Sequence, residues 1–246
     1  VITQISEANM AGEFADKVVL VTGASGNVGS AVARRFAAGG AKLVLVARST
    51  DDLKPLADEL ATEMLLVAAD VTDASAVDAM VAQAEAKFGQ IDVLAHTVGG
   101  FFMGEPVAAT RTQELEKAWK LNTLPVFLVG GRVARHMQEQ QVAGHLVFVL
   151  AKSAGQGAAK LSGYTASKAA AQRIVESLAA EVKDAGIHVN AIAPRTIDTP
   201  QNRADMPKAD PSKWVTVEQV ADAIAFLASS ASAALYGATL DLSGRA

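Results

Sequence analysis

Tyr164 and Lys168 stand four residues apart in the stretch LAKSAGQGAAKLSGYTASK, residues 150–168. That spacing puts both side chains on one face of a helix, near its first turn. A phenol beside an ammonium is an arrangement for moving a proton. The ammonium favours the phenolate and is expected to lower the phenol pKa toward working pH. Such a pair needs a third group to hold the substrate oxygen.

Seven apolar runs provide strands on which to mount the pair: 18–22, 42–47, 64–70, 92–97, 145–150, 187–193 and 238–243. Most lack alternation, as expected for parallel strands covered on both faces. Helical periodicity fills the gaps at 27–38, 51–62, 73–88, 111–138, 164–185 and 216–229, with Asp73, Thr110 and Thr216 as expected N-caps. Strand–helix alternation predicts an α/β fold: a doubly wound, mainly parallel sheet in one domain. That domain is expected over 15–246, after an N-terminal extension at 1–14. The irregular segment 194–215 follows a strand, where a loop over a ligand belongs.

The chain has 246 residues, half of them hydrophobic, which is enough for one large core. A net charge of -4 without a basic run argues against nucleic acid. No cysteine is present, so disulfide and thiolate chemistry are excluded. The apolar runs are too short to span a membrane, and no signal peptide is recognised, so cytoplasm is the expected location. His96, His136, His145 and His188 lack metal-ligand spacing, and no metal is expected.

The first strand runs into VVLVTGASGNVGSAVARRF. Gly23, Gly26 and Gly29 permit a tight turn and close approach to a pyrophosphate. The following helix then offers bare amides and a favourable dipole. The second strand ends at Ala47-Arg48. A cation there suits a 2′-phosphate, so NADP(H) is favoured and NAD(H) remains open. Arg48 is otherwise a solvated charge. Ser49 adds a hydroxyl, and Asp51 and Asp52 fit the next helix start. Asp70, ending the third strand, accepts either from an adenine amino group or from loop amides.

The glycine turn, Asp70, Asn122, Tyr164-x-x-x-Lys168 and NAIAP, in this order, resemble the short-chain dehydrogenase/reductase family over residues 15–244. The resemblance implies that Tyr164 is the acid/base and that Lys168 binds the nicotinamide ribose. Asn122 then anchors a relay water. It further implies dinucleotide contacts at Gly23, Ser25, Asn27, Val28 and Gly29, at Asp70 and Val71, at Gly99, and at Pro194, Thr196 and Ile197. The family's serine position is Ala151; Ser153 lies two residues on, and the resemblance does not imply that its hydroxyl substitutes. Asn27, HTVG at 96–99 and Arg195 also depart from the family pattern.

Within the family, LAKSAG, VGGF (98–101) and the segment 193–214 resemble dihydropteridine reductases, which also lack the serine. Those enzymes carry an acidic residue where this chain has Ala47-Arg48. A quinonoid ring spreads the developing charge, and Ala151 makes room for a flat substrate. The leading expectation is therefore an NAD(P)H-dependent reductase of a planar conjugated, quinonoid dihydropterin-like substrate. An ordinary ketone or alcohol (3-oxoacyl-type) reductase is the enzymatic alternative, favoured if Ser153 points at the site. A non-catalytic dinucleotide sensor is the third reading.

Phe101 and Phe102 are candidate pocket walls, and Arg195 suits an anionic or acceptor-rich substrate. Trp214 is a stacking lid or a loop anchor. Lys152 is a ligand or a solvated charge, and His96 a packing residue rather than a catalyst. The broad apolar, small-residue faces of 111–138 and 164–185 predict a partner copy; the family resemblance implies a homodimer or homotetramer.

Overall fold

A computed structural model of the chain describes residues 12–245. Seven parallel strands form one sheet: β1 (Val18–Thr22), β2 (Lys42–Ala47), β3 (Met64–Ala68), β4 (Val93–His96), β5 (His145–Val149), β6 (His188–Pro194) and β7 (Thr239–Leu242). Their order across the sheet is β3-β2-β1-β4-β5-β6-β7. The order reverses between β1 and β4, which opens a crevice at their C-terminal ends. The helices are α1 (Asn27–Ala38), α2 (Lys54–Glu59), α3 (Ala74–Phe88), α4 (Thr112–Asn122), α5 (Leu124–Glu139), α6 (Ser162–Val182), α7 (Pro200–Asp205) and α8 (Val217–Leu227).

The apolar strands follow from two cores, one on each side of the sheet. Val18 and Leu20 of β1 enter one core with Val44 and Val46 of β2. Val19 and Val21 enter the other with Leu43 and Leu45. Period-2 alternation thus persists in side-chain direction while both faces demand apolar residues. Phe36 of α1 is fully buried, and its truncation to alanine would cost about 3–5 kcal/mol.

Strand and helix positions follow the expected runs closely, with informative departures. The run expected as one helix over 111–138 breaks at Thr123 (φ -102°, ψ -52°). Pro125, in the first turn of α5, has no N–H to continue the α4 ladder. Asp73 caps α3, and Thr216 forms a reciprocal capping box with Gln219. Thr110 does not cap α4: its hydroxyl donates to the carbonyls of Glu105 and Pro106, and Arg111 takes the cap position.

Residues 1–11 of the expected extension lie outside the described residues. Phe14, by contrast, is 2% exposed and meets Phe36 edge-on at 4.7 Å. The segment 194–215 is tied down by a parallel bridge between Ile197 and Val215. Thr199 caps α7 within it, and Arg203 grips Asp198 at 2.6 and 2.7 Å. No described helix is long and apolar enough to cross a membrane.

Candidate active site

The C-terminal ends of β1, β4, β5 and β6 gather the chemistry. At β1, Gly23 turns the chain with φ +71°, and the Gly26 N–H closes on its carbonyl at 3.0 Å. A Cβ at Gly29 would stand 2.1 Å from the Gly23 carbonyl oxygen, so the turn and α1 interlock only through glycine. The N-terminus of α1 carries no side-chain cap and no acidic residue in its first turn. Ser25 and Asn27 are exposed there, and Val28 is half-buried. A bare, uncrowded helix start of this kind suits a pyrophosphate.

Arg48 is exposed just past β2. Ser49 instead accepts from the Asp51 N–H at 3.2 Å. Asp70 takes the second of its two expected roles: it accepts from the N–H and hydroxyl of Thr72 at 2.9 and 2.8 Å. Those bonds hold its carboxyl below the usual range. Val71 beside it is buried.

Tyr164 lies in the first turn of α6, and both it and Lys168 are buried. The Lys168 ammonium donates to the Val149 carbonyl at 3.2 Å, at the end of β5. Burial brings its pKa down to about 8. Burial pushes the Tyr164 phenol up, and a hydrogen bond with the Ser153 side chain opposes that rise. Burial is the largest influence on the phenol, ahead of Ser153.

Ser153 sits in a 3-10 turn, Lys152–Gly155, that directly follows β5. Ala151 is buried behind it. The position expected to lack a hydroxyl thus regains one two residues later.

Asn122 closes the site from below. Its amide accepts from the Gly100 N–H at 2.9 Å and donates to the Gly100 carbonyl and the Ser167 hydroxyl, each at 3.1 Å. Ser167 in turn donates to the Tyr164 carbonyl at 2.8 Å. A Cβ at Gly99 would lie 2.8 Å from the Lys168 nitrogen and 3.0 Å from the Asn122 oxygen, so glycine makes the β4 loop fit between them. Ser167 was not singled out from the sequence. Its place between Tyr164 and Lys168 was the available signal.

His96 is fully buried, with Nδ1 2.9 Å from the Thr22 hydroxyl. Burial and then Lys168 bring its pKa down to about 3, so it is a neutral packing residue.

Phe101 is 60% exposed and stands edge-on to the Tyr164 ring at 5.0 Å, a wall beside the phenol. Trp214 is only 7% exposed, and its backbone N–H donates to the Pro211 carbonyl at 3.0 Å. It anchors the loop and is not an open stacking lid, which corrects its place among the pocket residues. Lys152 pairs with Asp241 of β7. Pro194 is buried, Thr196 and Ile197 are half-buried, and Arg195 is exposed, its N–H bonded to the Leu242 carbonyl at 2.9 Å. No cluster of three or more metal-ligating side chains occurs among the described residues.

The chain is similar to known proteins along nearly its whole length. The cis-4-hydroxycyclohexanecarboxylate dehydrogenase of Sinomonas cyclohexanicum is 36% identical, covering 94% of this chain and 96% of the relative. The 3-oxoacyl-(acyl-carrier-protein) reductase FabG of Escherichia coli (strain K12) is 29% identical, over 94% of this chain and 97% of that one. A crystal structure of levodione reductase superimposes with a TM-score of 0.85 at 31% identity, covering 94% of this chain and 97% of that chain. The sequence pattern of the short chain dehydrogenases runs through residues 17–210, most of the sheet and the whole of the site, and this chain belongs to that family.

Proposed function

We propose that this oxidoreductase interconverts a ring ketone and its secondary alcohol, with NADP(H) as the favoured dinucleotide. The observation that supports the reading is the influence of the Ser153 side chain on the buried Tyr164 phenol. A hydroxyl beside the proton donor gives the substrate oxygen a second hydrogen bond as negative charge develops on it. One such donor is worth about 10²–10³ in rate. The names of two relatives, a hydroxycyclohexanecarboxylate dehydrogenase and levodione reductase, support a carbonyl or alcohol on a ring.

In reduction, Tyr164 gives its proton to the carbonyl oxygen while Ser153 donates to the same atom. Lys168 is cationic below about pH 8 and offsets the phenolate left behind. Asn122 and Ser167 fix the backbone around both groups. The bound nicotinamide supplies the hydride in reduction and takes it in oxidation. The glycine turn and the α1 N-terminus suit its pyrophosphate, and exposed Arg48 suits a 2′-phosphate.

The conjugated-ring substrate drew its chemical reason from a missing hydroxyl at residue 151. With Ser153 at the phenol that reason lapses, and the ketone reading leads. The reading is tested by following NADPH and NADH oxidation with cyclohexanone-type ketones and with quinonoid dihydropterin. Faster turnover of the ketones supports it. Turnover of the dihydropterin alone restores the conjugated-ring reading.

Copies of the chain are proposed to pair through α5 and α6. Phe127 is 61% exposed on α5. It lines a groove with Leu128, Gly131, Ile174 and Leu178, flanked by Arg135, Arg173 and Glu181. Charges of both signs around an apolar centre allow the face to complement itself.

A further inference from the structure

We propose that Lys152 and Arg195 form a rim that reads a negative charge on the substrate, with Asp241 as its built-in counter-charge. This rests on the oxidoreductase reading above and adds the chemical class of its substrate: a ring ketone or alcohol bearing an acid group.

Lys152 lies between Ala151 and Ser153, in the turn that carries the Ser153 hydroxyl to Tyr164. Its ammonium reaches the Asp241 carboxylate on β7. Asp241 stands opposite Ala193 in the parallel ladder of β6 and β7. The ladder runs one step beyond β6, where the Arg195 N–H donates to Leu242. The ladder sets Ala193 and Asp241 side by side on one face of the sheet, and Arg195, exposed, follows the last residue of β6. Lys152 meets Asp241 on that face. The rim therefore sits at the C-terminal sheet edge, and its Lys152 belongs to the same turn as Ser153.

The Lys152–Asp241 pair is not sealed. Its side chains are 46% and 53% exposed. A half-solvated pair of this kind holds its partners only weakly, so an incoming carboxylate competes with Asp241 for the ammonium at little cost. A structural staple needs neither this exposure nor a position next to the hydroxyl-bearing residue. A ring with its acid group opposite the reacting carbon presents the charge at one end and the carbonyl at the other.

The test compares kcat/KM for 4-oxocyclohexanecarboxylate with that for its neutral carboxamide, at saturating dinucleotide. The wild-type protein is expected to favour the acid about fivefold or more. Lys152→Met should bring that ratio toward one, through KM for the acid. Asp241→Asn should raise the ratio, because it frees the ammonium; general damage to the fold has no reason to do so. Equal use of acid and amide by the wild-type protein, or a ratio that neither variant moves, overturns the charge proposal and leaves the ketone reading standing. Turnover of neither compound, with dinucleotide binding intact, overturns the ketone reading and this proposal together.

Discussion

The Ser153 side chain opposes the burial-driven rise of the Tyr164 phenol pKa, although Ala151 fills the position that a linear reading of the motif gives to the hydroxyl. Ser153 sits in the 3-10 turn over 152–155, between β5 and α6. Ser153→Ala is predicted to lower kcat about 10²-fold or more while leaving dinucleotide affinity intact. Ala151→Ser in the wild-type background should bring little gain. Undiminished turnover by Ser153→Ala would show that the phenol works alone.

Arg48 follows β2 at the expected place for a 2′-phosphate contact and remains exposed. Arg48→Glu is predicted to raise KM for NADPH about tenfold or more, since it replaces attraction by repulsion. KM for NADH should change much less. Equal changes for both dinucleotides would remove Arg48 from the cofactor reading.

His96 carries a pH prediction. Its pKa is about 3 in the folded protein against 6.5 for a free imidazole. Between these values the unfolded chain binds a proton that the native protein refuses. Its contribution is therefore intact above pH 6.5 and is lost as pH falls toward 3, by up to about 5 kcal/mol. Denaturant midpoints should drop steadily over that window. His96→Asn should give a shallower slope. Some slope should remain from His145, which burial holds near 4. Parallel slopes in the two proteins would contradict the buried neutral imidazole.

Phe127 is the exposed centre of the α5–α6 groove. Phe127→Glu is predicted to shift the mass measured by light scattering at micromolar concentration from an oligomer to a monomer. A wild-type monomer would refute the pairing outright.

The sheet was legible because its inner strands meet two apolar cores and are rich in Val, Leu and Ala. The glycine turn was legible for a steric reason, the 2.1 Å approach at Gly29. What the sequence obscured were effects of local geometry. Counting back from Tyr164 reached Ala151, whereas the chain coils and delivers Ser153. The aromatic Trp214 suggested a lid, but nothing in its own identity distinguishes a solvent-facing ring from a buried anchor. The spacing of Lys168 from Tyr164 suggests a lowered phenol pKa, but spacing carries no account of burial, the largest influence on the phenol. The break at Thr123 was foreshadowed only by Pro125, whose consequence depends on where α4 ends.

The central claim is that Tyr164 is the proton donor of a dinucleotide-dependent ketone reduction. The most direct measurement is a single-turnover experiment with NADPH-loaded protein and a ring ketone, comparing wild type with Tyr164→Phe after dinucleotide affinity has been matched by titration. Hydride transfer that falls about 10³-fold or more in the variant, with affinity unchanged, is the predicted result. Equal rates in the two proteins would contradict it.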